Sequence, residues 1–338
     1  RPLIEAQAVG EEVMKRLLGL LLCVALAMTA CSSGSDSSGA SAEKPLQIGI
    51  AQIVDHPSLN ALRDGFIEAM TAAGYVEGKD VVYDLKNAAG DQVTLTNIAS
   101  SFTDKDLVVA IATPTAITLA QALPNTPLFF AGVTDPVGAG LVDSLDAPGG
   151  MITGTSDMPP IADQLALIKE ITPDAATIGL LYTSGEVNSQ IQARMVAEAA
   201  PALGLSVREA TVTASSEVRQ GAESLTGVDC YFVGTDNTII SGVEALVAVA
   251  EERKVPLYVS DPDSIDRGAM AALAVDYHAQ GVQTGQMAAQ FLADGGKPGD
   301  IPVAVAKDLQ VSLNLQAAER MGVTIPQSVI DTAVKVVR

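Results

Sequence analysis

The stretch FFAGVTDPVGAGLVDSLDAPGGMITGTSDMPPIADQ, Phe129 to Gln164, decides how the rest of the chain is read. It begins in a short apolar run, Pro127–Gly132, with no helical period, which predicts a buried strand. Pro136 in Thr-Asp-Pro then turns the chain out of the sheet. A second β-like run, Met151–Thr155, follows the Pro148-Gly149-Gly150 turn. Asp157 and the Pro159-Pro160 pair precede a helical pattern. One α/β lobe ends here, and the chain crosses to another.

The same alternation extends to both sides. Upstream, strands are predicted over Leu46–Ala51, Asp80–Leu85 and Leu107–Ala112. A helix is predicted over Ser58–Ala73, with Ser58 capping it and Leu62, Phe66, Ile67 and Met70 on one face. Downstream, Ala176–Tyr182, Leu205–Ala210, Val228–Gly234 and Val255–Ser260 read as strands. Gln190–Leu203, Val218–Leu225 and Gly242–Arg253 read as helices between them. Gly268–Asp276 and Ile301–Ala306 are further strands, His278–Leu292 is a helix, and Val311–Gly322 contains one. Alternating β and α units predict parallel sheets covered by helices. AIATPTA around Thr113 resembles FVGTDNT around Thr235, and FFAGVTDP resembles LYVSDP. Two lobes of like topology follow.

The first 44 residues differ from this body. RPLIEAQAVGEEV, residues 1–13, is read as an upstream extension ahead of Met14. Met14–Ala30 has Lys15 and Arg16 before an apolar stretch too short to span a bilayer, the pattern of a signal peptide. Met28-Thr29-Ala30-Cys31 resembles a lipobox, with Met at its first position, and implies lipidation of Cys31. The thirteen residues Ser32–Lys44, SSGSDSSGASAEK, are Ser/Gly-rich and read as a flexible tether with a span of roughly 20 Å. The expected localisation is extracytoplasmic, anchored to the membrane through Cys31.

Composition narrows the functions. The chain has 338 residues, 48% hydrophobic, with net charge −20. So acidic a body repels nucleic acid and anionic lipid. Cys230 is the sole cysteine after Cys31, so the body has no internal disulfide. With His56 and His278 the only histidines, a Cys/His zinc site is not expected. The sequence holds no G-x-S-x-G, H-E-x-x-H or P-loop pattern. Neither an enzyme nor a cofactor is expected.

Ligands of open parallel sheets bind beyond the carboxyl ends of the strands. The candidate residues are therefore those just after strands. His56 offers a donor. Thr113 and Thr115 combine hydroxyls with helix amides, which suit a carboxylate. Asn188 can donate and accept. Asp236 can pair with an ammonium. Asp135 and Asp261 occupy matching Asp-Pro turns, where they either meet ligand or shape the turn. Tyr277 offers a ring face.

The segments FAGVTDPVGAGLV, GGMITGTSD, LLYTSGEVNS, GTDNT, SDPDSIDRGAMAALAVDY and VSLNLQAAERMG resemble the tryptophan/tyrosine-type ABC-transporter substrate-binding proteins. That group has the periplasmic-binding-protein type I fold. The resemblance implies two Rossmann-like lobes joined by a three-crossover hinge. It divides the body into 45–156 plus 277–308 for lobe 1 and 157–276 plus 309–338 for lobe 2. It implies a monomer that captures a small molecule, an aromatic or other amino acid, and delivers it to an ABC permease and its ATPase. Alternatives are a sugar- or nucleoside-binding protein of the same fold, or a ligand-sensing receptor component without transport. The absence of Trp and the 4% aromatic content weigh against a ring-stacking sugar site.

Overall fold

The computed structural model describes residues 44–338. The extension expected over residues 1–13, the signal peptide expected over 14–30, Cys31 and nearly all of the expected tether lie outside the described residues.

The strands form two sheets. In lobe 1 these are β1 (Leu46–Gln52), β2 (Val81–Asn87), β3 (Leu107–Ile111), β4 (Leu128–Ala131) and β5 (Ile152–Ser156). In lobe 2 they are β6 (Thr177–Thr183), β7 (Ser206–Val212), β8 (Cys230–Val233), β9 (Leu257–Val259) and β10 (Ala271–Val275). Three short strands follow: β11 (Ala304–Val305), β12 (Leu309–Asn314) and β13 (Lys335–Val337). One sheet runs β11-β5-β4-β3-β1-β2 and the other β13-β12-β10-β9-β8-β6-β7. Every residue of β3 and β4 is buried, as expected where helices cover both faces of a parallel sheet.

The chain passes between lobes three times: after β5, after β10, and between β11 and β12. The lobes have separate cores. One gathers Ile48, Leu62, Phe66, Phe129 and Phe130. The other gathers Leu165, Tyr231, Phe232, Val259 and Leu313.

The helix Tyr277–Asp294 belongs to lobe 1 because it packs along the helix Pro57–Ala72. Glycines permit the approach. A Cβ at Gly281 would lie 2.2 Å from the Leu62 carbonyl oxygen, and one at Gly65 2.3 Å from that of His278.

Local readings needed correction in two places. The helix at Pro57 is capped at His56, and Ser58 is not its cap. Pro57 takes the first helical turn, where its missing N–H costs nothing, and this leaves the Ser58 hydroxyl free for other partners. The segment read only as containing a helix opens with β12, LQVSLN, whose period-two alternation marks a strand. It pairs antiparallel to β10. The helix Leu315–Arg320 follows, with Asn314 Oδ1 accepting from Ala317 N at 2.8 Å.

Candidate functional site

The carboxyl ends of both sheets meet at one small cavity of about 20 Å³, room for about one water molecule with the lobes in this arrangement. Lobe 1 lines it with His56 after β1, Ala112 and Thr113 after β3, Gly132 and Thr134 after β4, and Asp157 after β5. Lobe 2 adds Asn188, Thr235, Asp236, Asn237 and Asp261. Tyr277 comes from the second lobe crossing. Thus His56, Thr113, Asn188, Asp236, Asp261 and Tyr277 converge. Thr115 and Asp135 are not on the cavity wall. The Thr115 hydroxyl is buried without a partner. Asp135 accepts from Gly138 N at 2.8 Å and so closes its own turn.

Ala112 holds φ 71° and ψ 160°, a region that side-chain-bearing residues rarely adopt and that costs about 1–3 kcal/mol. The bend ends β3 and starts the helix Thr113–Ala122 at the cavity. The first amides of a helix have no intrahelical partner, so this end presents a positive dipole.

The lobe 2 wall is built on two buried carboxylates. Asp236 accepts from Thr183 N at 2.6 Å, Thr183 Oγ1 at 2.7 Å, Ser189 Oγ at 2.8 Å and Ile239 N at 2.8 Å. These four donors fill the ordinary capacity of a carboxylate. Burial, then the charge of Glu186, pushes the Asp236 carboxyl up to about 7, against the pull of those donors. Glu186 in turn accepts from Asn237 Nδ2 at 2.6 Å, Thr238 Oγ1 at 2.7 Å and Thr238 N at 2.9 Å. Asn188 donates to the Thr235 carbonyl at 2.7 Å, which leaves its Oδ1 buried and unpaired.

Lobe 1 presents less saturated groups. Asp157 is 4% exposed. Its Oδ2 accepts from the Tyr277 hydroxyl at 2.9 Å, while its Oδ1 has no partner. Burial raises the Asp157 pKa, opposed by the hydroxyls of Tyr277 and Thr134. Burial likewise raises that of Tyr277, with Asp157 adding to it. His56 is buried with Nδ1 unpaired. Its pKa is lowered by burial, although Asp261 pulls the other way.

The lobes touch across the cleft. Thr134 Oγ1 and Thr235 Oγ1 are 2.9 Å apart. The Ser58 hydroxyl reaches Asp261 and, at 2.7 Å, Asp263. Sequence reasoning did not single out Asp157, Thr134, Ser58 or Glu186 as site residues. Asp157 carried a usable signal, because it follows a strand as Asp135, Asp236 and Asp261 do.

The model of the family described as ABC transporter substrate binding protein matches residues 47–337. The chain belongs to this family. Its work is the capture of a substrate for transport rather than catalysis. The substrate-binding chain is 39% identical to the tyrosine-binding protein of Clostridioides difficile strain R20291, over 89% of this chain and 90% of that relative. Its structure resembles the Streptococcus pneumoniae ABC domain in complex with L-Trp, with TM-score 0.83 and 37% identity over 87% of this chain and 100% of that one. The ligand-free, open structure of a substrate-binding protein with adhesive properties from Clostridium difficile gives TM-score 0.66 at 36% identity, over 86% of this chain and 99% of that one. At nearly equal identity the overall shape follows the L-Trp complex more closely. That agrees with the contacts across the cleft.

Among the described residues no group of His, Cys, Asp or Glu is placed to hold a metal. No helix among them is long and apolar enough to cross a membrane. Cys230 is a buried free thiol.

Proposed function

We propose that this substrate-binding protein takes an aromatic amino acid into the interlobe cavity and closes over it by hinge motion. The observation that carries the reading is the cavity itself. Strand-end residues of both lobes line it, so a ligand there touches both at once. A ligand with more contacts to the closed arrangement than to the open one shifts the population toward closure. The relative named as tyrosine-binding and the similar structure holding L-Trp support an aromatic amino acid. The lining contains no Lys or Arg. A ligand carboxylate therefore has its best seat at the start of the helix Thr113–Ala122, beside the Thr113 hydroxyl.

In this reading the protein acts as an extracytoplasmic monomer held to the membrane by a lipid on Cys31, and the closed form is what the permease and its ATPase receive. The proposed ligand-facing set comprises His56, Thr113, Asn188, Asp261 and Tyr277. Asp236 supports the wall from behind, through the donors it already holds.

The test is isothermal titration of the full chain in detergent against amino acids, sugars and nucleosides. Saturable binding of L-tyrosine, L-tryptophan or L-phenylalanine supports the reading. Binding of only a sugar or a nucleoside replaces the ligand class. Mass spectrometry of the protein from membranes reports on the lipid at Cys31.

A further inference from the structure

Three acids line the cavity, and they differ in how much of their acceptor capacity is used. Asp236 holds four donors. Asp261 accepts from Ser264 N at 2.8 Å, from the Ser264 hydroxyl and from Ser58. Asp157 accepts from Tyr277, with the Thr134 hydroxyl also pulling on it, and keeps one oxygen buried and unpaired. A buried carboxylate oxygen without a donor is strongly unfavourable. Such an atom on a cavity wall marks the place where a ligand supplies the donor.

We infer that Asp157 Oδ1 is the seat of the ligand's primary ammonium group, with the Tyr277 hydroxyl fixing the carboxylate for it. The inference rests on the amino-acid reading above and deepens it. Charge supports it. No Lys or Arg lines the cavity, and burial disfavours a charge on His56. A cation to pair with the Asp157 carboxylate is then supplied by the ligand rather than by a cavity side chain. Placement supports it too. Asp157 and its partner Tyr277 both line the cavity, together with Gly132, Thr134 and Ala112.

The position also gives the contact a second consequence. Asp157 lies on the first crossing between lobes, between β5 and the helix Ile161–Ile171. Tyr277 lies on the second crossing, directly after β10 and Asp276. An ammonium at Asp157 therefore sits against a pair that joins two hinge strands to each other. Recognition of the amine and the set of the hinge share one hydrogen bond.

The experiment is calorimetric titration of the full chain in detergent with L-tyrosine and L-tryptophan. The same titrations use their analogues lacking the amine, 3-(4-hydroxyphenyl)propionate and indole-3-propionate. Wild type is expected to prefer the amine-bearing ligand by about 100-fold or more. Asp157→Asn is expected to bring the two within about tenfold, and Tyr277→Phe to keep most of the preference because the charge remains. An Asp157→Asn variant that retains the full wild-type preference overturns the inference while leaving the amino-acid reading intact. Wild type that binds no primary amine, yet binds a sugar or nucleoside, overturns both. Circular dichroism checks the fold of each variant, and Asp157→Ser repeats the test if the asparagine variant is misfolded.

Discussion

The Ser58 hydroxyl of lobe 1 reaches the Asp261 carboxylate of lobe 2, and Asp263 stands 2.7 Å from the same oxygen. One hydroxyl proton cannot serve two carboxylates at once. The contact joins the lobes but leaves two acids competing for one donor.

Ser58→Ala therefore removes an attraction that exists only when the cleft is shut. A hydrogen bond of this kind contributes about 1 kcal/mol, so ligand affinity falls roughly fivefold, mainly through faster release. Asp263→Asn supplies an amide donor, relieves the competition and slows release. Stopped-flow dissociation of the bound amino acid measures both. Equal rates in wild type and Ser58→Ala would remove this contact from the closing mechanism.

Asp236 is expected to matter for stability before it matters for binding. Its replacement by alanine strips the acceptor from four buried donors, two on Thr183 and one each on Ser189 and Ile239. Leaving them unsatisfied costs about 3 kcal/mol or more. Urea unfolding of the ligand-free chain should show a clearly lower midpoint for Asp236→Ala. An unchanged midpoint, together with lost ligand binding, would return Asp236 to the role of ammonium partner.

The division between fold and site follows the range of the interactions involved. The apolar runs of β1, β3 and β4 announce themselves, since LVVAI and LFFA are short, rich in β-branched or aromatic residues and bounded by turn and helix-start signals. The strand ends that form the cavity could be read for the same reason. What could not be read is which acid after a strand faces a ligand. Asp135, Asp157, Asp236 and Asp261 occupy equivalent places in sequence. They differ in the donors around them, and for Asp236 those include Thr183 and Ser189, far back in the chain. Ser58 was misread because Pro57 moves the helix cap back to His56. The β12 strand was hidden by the helix that follows it directly.

Stability should depend on pH through Asp157. Its folded pKa is raised by burial, so the folded chain binds this proton more readily than the unfolded chain does. The sign follows by linkage. The charged form penalises the fold above the raised folded pKa. The penalty disappears as pH falls toward the unfolded value of about 3.9. Asp157→Asn removes it at every pH and keeps an acceptor for Tyr277. The variant should thus melt above wild type at pH 8 without ligand, and the difference should shrink toward pH 4. Tyr277, His56, Asp236 and Asp261 line the same cavity and remain in both proteins, so the comparison isolates Asp157. A gap that does not change with pH would mean that Asp157 carries no raised pKa.

The glycines between the helices Pro57–Ala72 and Tyr277–Asp294 set the last expectation. A Cβ at Gly281 meets the Leu62 backbone at 2.2 Å, and backbone cannot rotate away as a flexible side chain can. Gly281→Ala must push the two helices apart, at about 1–3 kcal/mol, although alanine favours the helix itself by about 1 kcal/mol. Steric cost should win here because the obstacle is main chain. The second helix begins at Tyr277, so its displacement also moves the phenol that holds Asp157. Gly281→Ala is therefore expected to lower the melting temperature and weaken amine-bearing ligands together. Gly295→Ala, where a Cβ meets nothing within 4 Å but φ is 73°, provides the contrast. It should lower stability through local backbone strain alone and leave ligand affinity unchanged. If Gly281→Ala lowers stability but leaves affinity and amine preference untouched, the helix pair is only a structural clamp and does not position Tyr277.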